Sequence, residues 1–323
     1  MSIVGAVGAS SLSQLQSLLN DNIGVRQQLT TAQEQVSSGL IAQSYAGLGE
    51  SARASLELNP QIAHEQTWQS NIDVASGRLD ATQGALSGIT SIVRNIYAQA
   101  ASLSEISTTT PDNLANLARQ GLQQVADLIN TKIGDVYVFA GQDTSNPPIP
   151  DTSAATLVSA LLASDAATAP FSTTLGPTPA TVQVGQGATV QVGLVANKNT
   201  LSVSAAPTTG SFVRDILREL ATLTTVPNNA SAQTIAAGVR TRLSGALSAI
   251  ASEAGSLGDI QAGLQTRKSQ SAATVLTLQQ QVSHAQDVDL AATLSRLTAL
   301  QTQLQSSYQL IASLRELSLS KYI

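Results

Sequence analysis

Apolar residues recur at every seventh position along much of this chain, and this repeat restricts the fold more than any other feature. One series runs from Ile72 to Val93 and another from Leu243 to Leu264, with no proline inside either. A sevenfold repeat places its members on one helix face, which must be buried against another helix. Because the two stripes are of similar length and the chain must return along itself, we expect a long antiparallel, coiled-coil-like helical rod. Its predicted core consists of Ile72, Leu79, Leu86, Val93, Leu243, Ile250, Leu257 and Leu264.

Shorter helices are predicted at the two ends of the chain. Two sevenfold apolar series fall between residues 11 and 39, and Gly39 suits the left-handed conformation that ends a helix. Near the other end, the series that starts at Leu290 is out of phase with the one before it. We therefore expect a break between residues 283 and 289, followed by a separate last helix.

The last helix carries apolar residues over a wider arc than one partner helix can cover. In a two-stranded coiled coil the positions beside the seam are usually charged, but here they include Leu294, Tyr308 and Leu317. Burial inside the same monomer is the alternative, yet the other short helix supplies a single stripe. We therefore expect the terminal helices to bind copies of the same chain. The predicted assembly interface consists of Leu15, Leu29, Val36, Leu290, Leu294, Leu297, Leu300, Leu304, Tyr308, Ile311, Leu314 and Leu317.

The middle of the chain has a different composition and predicts a small β-containing insert. Only Asp165 and Lys198 are charged between residues 153 and 207, and valines alternate with polar residues on both sides of a Gly-Gln-Gly turn at 185–187. Two cap-and-proline pairs, Asn59-Pro60 and Thr110-Pro111, are expected to begin helices, the second of which ends at Gly134. Five segments follow: an N-terminal assembly helix and link at 1–45, half of the rod with a β-hairpin at 46–150, the β-rich insert at 151–210, the other half of the rod at 211–284, and the C-terminal assembly helix at 285–323.

Composition excludes several classes of function. The net charge is −5 and no Lys/Arg cluster occurs, so a nucleic-acid partner is not expected. No continuous apolar window of 18 residues exists, so we expect no membrane insertion. The first residues lack the basic segment of a secretory signal, so any export would proceed without a cleaved Sec signal.

Catalytic chemistry is not expected either. The chain has no cysteine, and His64 and His284, its only histidines, lack a carboxylate or second histidine at helical spacing. Asp287 and Asp289 fit the start of a helix, where acids interact well with the dipole. The S-x-x-K pattern at 318–321 lacks the companion motifs of penicillin-binding enzymes. We therefore predict no catalytic residues, no cofactor and no metal site.

Four stretches carry a family resemblance. They are QVSSGL at 35–40, GDVYVFAG with NPP at 134–148, DVDLA at 287–291 and LSLSKYI at 317–323. Together they resemble the flagellin superfamily of bacterial flagellar axial proteins, whose terminal arms form concentric helical layers of a tube. The second and fourth stretches are more similar to the hook-associated members of that superfamily. One departure is SYAGLG at 44–49, where the family usually has Asp-Asp-Pro.

The resemblance implies a structural subunit of the bacterial flagellum that self-assembles through its terminal helices at the hook–filament junction. It implies an extracellular location, and as partners it implies copies of the chain, the hook-side junction protein, flagellin and an export chaperone. Filament flagellin is the nearer alternative. A coiled-coil signalling or adaptor module is a more distant one, which predicts polar positions beside the seam and a stable dimer. The subunit number and the use of the Asn229-Ala230-Ser231 glycosylation sequon are left open.

Overall fold

The computed structural model describes residues 4–103, 110–163, 169–198 and 210–319, with side chains except at 4–15 and 314–319. These ranges are mainly helical, with long helices in both halves of the chain and two small pairs of strands, which confirms the predicted fold class. The elements in chain order are α1 (Val4–Ser38), α2 (Tyr45–Leu48), α3 (Ser51–Ser102), α4 (Pro111–Ile129), β1 (Lys132–Ile133), β2 (Val136–Tyr137), α5 (Ala154–Ala163), β3 (Ala180–Gly185), β4 (Ala188–Val192), α6 (Phe212–Thr224), α7 (Ser231–Gln286) and α8 (Leu290–Leu319).

The chain divides into two compact units. One contains residues 1–64 and 274–323, and the other contains residues 65–273. Described residues of the predicted insert, among them Leu157, Val184 and Val192, are buried in the same hydrophobic cluster as the helices of the second unit. The five-segment division stays a prediction.

Within the second unit, α3 and α7 run antiparallel, and two side-chain contacts fix their register. Lys268 lies 2.5 Å from Asp73, and Gln261 donates a hydrogen bond of 2.6 Å to Asp80. Seven residues forward along α3 therefore correspond to seven residues backward along α7, which brings the two sevenfold stripes opposite each other. All eight predicted rod-core residues are buried, with exposed fractions between 0% and 3%: Ile72, Leu79, Leu86, Val93, Leu243, Ile250, Leu257 and Leu264.

Helices α4 and α6 pack on each other and extend the same core. Their N-termini are capped by Thr110 and Ser211, whose hydroxyls accept from the backbone N–H groups of Asn113 and Arg214. Glu219 of α6 is buried, and its carboxylate accepts a hydrogen bond of 2.5 Å from Nε of Arg242. Burial raises the pKa of Glu219, and the Arg242 hydrogen bond opposes that rise only in part.

The hairpin formed by β3 and β4 is attached to the long helices of the second unit. Its register pairs Val182 with Val190 around the predicted Gly-Gln-Gly turn, which confirms the expected hairpin. From α3, the Asn71 amide donates to the Gln183 carbonyl at 2.9 Å. From α7, Nε of Arg267 donates to the Val184 carbonyl, also at 2.9 Å. These contacts place the hairpin against the helices.

Two expectations about element boundaries were wrong, and one helix was missed. Pro60 lies inside α3 rather than in its first turn, on an exposed position where water can bind the backbone carbonyl that proline leaves without an N–H donor. Helix α4 ends at Ile129, because Gly134 at φ +56° forms the turn between β1 and β2 instead. Helix α5 was not expected, since its alanine-rich sequence carries no charge and no regular polar face.

Two glycines of the hairpin region allow a matched test of how closely the hairpin packs on the rest of the second unit. Gly187 and Gly193 both have a positive φ, but only at Gly193 would an added Cβ overlap a backbone atom, the Val138 carbonyl oxygen. Gly187→Ala should cost about 1–2 kcal/mol, the usual penalty of a left-handed alanine. Gly193→Ala should cost clearly more, because the backbone must also move. Urea denaturation of the two variants measures the difference, and equal costs would show that this contact is not tight.

Candidate assembly surface

Helices α1 and α8 lie antiparallel and pack along each other, both within the first unit. Their seam is small. Val25, Ala32 and Leu300 are its buried apolar residues, and Leu29, Leu297 and Leu304 pack against them while remaining partly exposed. The two helices therefore share one narrow apolar stripe.

A polar contact at the edge of this seam fixes how the two helices lie. Arg26 of α1 donates to the Tyr308 hydroxyl of α8 through Nε at 2.9 Å and also through one terminal nitrogen. Its guanidinium carbon lies 5.6 Å from the centre of the tyrosine ring. Both side chains are solvent-exposed, so this contact contributes little to the stability of the helix pair. It nevertheless assigns Arg26 and Tyr308 to the same flank of the helix pair.

The segment that follows α1 and the segment that precedes α8 are joined by two backbone hydrogen bonds. The Ile41 N–H donates to the Gln286 carbonyl at 2.7 Å, and the Val288 N–H donates to the Gly39 carbonyl at 2.9 Å. Gly39 has a φ of +74°, and α1 ends at Ser38, as its sequence predicts.

The break between α7 and α8 falls inside the predicted interval, where Asp287 and Asp289 have different roles. Asp289 Oδ1 accepts from the N–H groups of Ala291 and Ala292, each at 3.0 Å, and so caps α8. Asp287 instead accepts from the Ser283 hydroxyl. Both carboxylates are therefore used in local structure.

The structure separates the predicted interface residues into three groups. Leu29, Leu297, Leu300 and Leu304 contribute to the seam within the chain, and Val36 and Ile311 are half-buried. Leu290, Leu294 and Tyr308 are 47%, 49% and 43% exposed. The side chains of Leu15, Leu314 and Leu317 lie outside the described residues. The wide arc on α8 is therefore covered only in part by α1.

The exposed members form a stripe of their own. Tyr308 follows Leu290 by five helical turns, and Leu294 follows Leu290 by about one turn, so the three lie on one side of α8. On α1, Leu19 and Ile23 are 47% and 56% exposed. Isolated exposed leucines are ordinary, but apolar residues repeated along one side of a helix mark a contact surface.

Comparison with known proteins identifies the family of the chain that carries this surface. Residues 10–145 match the bacterial flagellin N-terminal helical region, and residues 241–323 match the bacterial flagellin C-terminal helical region. The two matches together span more than half of the chain and include α1 and α8. The chain belongs to the bacterial flagellin family. It is therefore a flagellin-like structural protein of the flagellum, an extracellular appendage.

Two solved structures with the same fold are flagellar proteins. A protein assigned as flagellar hook-associated from Vibrio parahaemolyticus has a TM-score of 0.56 at 11% identity, over 72% of this chain and 96% of that one. FlgL from Bacillus cereus has a TM-score of 0.53 at 15% identity, over 70% of this chain and 99% of that one. At such identities the likeness establishes the fold of this flagellin-family chain. No curated protein matches its sequence.

Sequence reasoning missed some residues of the surface in this flagellin-family chain. Leu19 and Ile23 were not expected because they fall outside the sevenfold series of α1. Arg26 belongs to no sequence pattern that would predict a contact, and only the structure shows that it reaches Tyr308.

No three His, Cys, Asp or Glu side chains of the described residues converge in a way that could hold a metal ion. His64 and His284 are both exposed. Within the described ranges, none of the helices combines the length and apolarity that crossing a bilayer requires.

Proposed function

We propose that this flagellin-family chain is a structural subunit that self-assembles through α1 and α8 at the hook–filament junction of the flagellum. The observation that carries the proposal is the exposed stripe of Leu290, Leu294 and Tyr308, which runs beside an already occupied seam. The role is structural and not enzymatic. The proposed partners are copies of the chain, the hook-side junction protein, flagellin and an export chaperone.

The energetic argument rests on apolar area. Complete burial of a leucine side chain is worth about 1.5–3 kcal/mol, and Leu290 and Leu294 are about half-exposed in the monomer. Covering both would therefore contribute roughly 1 kcal/mol each, and Tyr308 adds aromatic area with a polar end. Contacts of this size are weak singly. They become sufficient when each subunit repeats them with several neighbours.

The hook–filament junction is preferred over the filament because of two stretches. GDVYVFAG with NPP at 134–148, and LSLSKYI at 317–323, are more similar to the hook-associated members of the family. The solved structures with the same fold, a hook-associated protein and FlgL, support this choice at the level of fold. Filament flagellin is the second candidate, because the matched family models describe flagellin itself.

Location within the flagellum distinguishes the two candidates. An epitope can be inserted after Gln186, in the exposed turn between β3 and β4, in cells whose only copy is the tagged chain. Immunogold labelling should show one short band where the hook meets the filament. Label along the whole filament would instead identify a filament flagellin. Secreted tagged protein with no label on any flagellum would contradict both.

A further inference from the structure

Asn22 is a polar residue at a position where the pattern of α1 requires an apolar one. Leu15, Leu29 and Val36 belong to one sevenfold series, and Asn22 fills the remaining place in it. The side chain is buried, with 6% exposed. Neither the amide nitrogen nor the amide oxygen has a hydrogen-bond partner. A buried amide without partners is costly and rare in native proteins.

A second buried polar residue of the same unit shows the contrast. Thr293 of α8 is also 6% exposed, but its hydroxyl donates to the Asp289 carbonyl at 2.7 Å. Thr293 is therefore satisfied within its own helix. Asn22 makes no such bond within α1, and α8, the helix packed along α1, offers it none in this arrangement.

The surroundings of Asn22 suggest where its partner comes from. Ile23 is the next residue and Leu19 lies about one turn before, and both are about half-exposed. The unsatisfied amide therefore borders an apolar strip that is open to another molecule. The seam beside it is thin, with Val25, Ala32 and Leu300 as its buried apolar residues, so few apolar contacts oppose a rearrangement of α1 and α8.

We propose that Asn22 sets the register of assembly: its amide destabilises the α1–α8 pairing of the free chain and is hydrogen-bonded by a second copy in the assembled state. A single asparagine at a core position of a coiled coil acts in this way, since only one arrangement satisfies the amide. The monomer pairing is then one of two packings, and the neighbouring copy selects the other. This inference rests on the proposed assembly through α1 and α8.

Asn22→Leu tests the inference on the full-length chain. It should slow hydrogen exchange in the part of α1 after residue 15, because the pairing within the monomer gains an apolar residue. It should also lower the number of copies in flagella at least about tenfold, the factor that 1.4 kcal/mol gives. Quantitative immunoblots of isolated flagella, normalised to exported protein, measure the second effect. The proposal would be overturned if isolated flagella contained the Asn22→Leu chain at the wild-type level.

Two further variants separate hydrogen bonding from simple packing. Asn22→Gln keeps the amide donor and acceptor and should recover part of the incorporation that Asn22→Leu loses. Equal defects in both would mean that amide hydrogen bonding is not what assembly needs. Thr293→Val removes a hydroxyl that is satisfied internally and should incorporate normally. Normal incorporation of Leu294→Asp would contradict the proposed function itself, whatever the Asn22 variants show.

Discussion

Leu86→Ala is expected to lower the free energy of unfolding of the monomer by about 2–5 kcal/mol. Leu86 is 1% exposed, and the register fixed by the Asp73–Lys268 and Asp80–Gln261 contacts places it opposite the apolar stripe of α7. Truncation removes buried methyl groups and leaves a cavity that two long helices cannot close without moving together. Urea unfolding followed by circular dichroism gives the value.

Val74→Ala provides the matched control on the same helix. Val74 is 50% exposed, and its loss should change stability by less than about 0.5 kcal/mol. A comparable small effect for Leu86→Ala would show that this stripe does not form the stabilising core of the second unit.

The eight residues that the sevenfold repeat assigned to the rod core are all buried in the second unit, and the reason is physical. Two helices that bury a stripe against each other along their length satisfy the repeat locally, and no distant part of the chain is needed to interpret it. The capped starts of α4 and α8 were likewise predictable, because Thr110 and Asp289 act on backbone groups within three residues. The turn between β3 and β4 followed from its glycines.

Features that depend on tertiary contacts were not predictable. Whether Leu304 of α8 faces another copy or α1 is decided by where α1 lies, and the structure places it in the seam. Pro60 was expected to start a helix, but α3 already begins at Ser51, which the local cap-and-proline pattern could not show. The position of Asn22 in the series of α1 was visible in the sequence. Its burial without partners required coordinates.

Leu294→Asp should leave the monomer folded and nearly abolish assembly. Leu294 is 49% exposed, whereas the seam uses Leu297, Leu300 and Leu304, so the new carboxylate stays in water in the free chain. Once a neighbouring subunit covers this stripe, an unpaired buried carboxylate costs several kcal/mol. A cost of about 2.8 kcal/mol lowers incorporation about a hundredfold. Circular dichroism should be unchanged, while immunoblots of isolated flagella should lose the band.

Ser295→Asp is the control, because it adds the same charge to the neighbouring exposed residue, about 100° around the helix. It should incorporate far better than Leu294→Asp. The two candidate functions then predict different flagellar phenotypes for cells that carry Leu294→Asp. A junction subunit that fails to assemble lets filaments detach from intact hooks, whereas a filament flagellin that fails leaves hooks on which no filament grows. Unchanged motility, filament retention and filament length would mean that α8 is not an assembly interface, and the coiled-coil adaptor alternative would then be the better account.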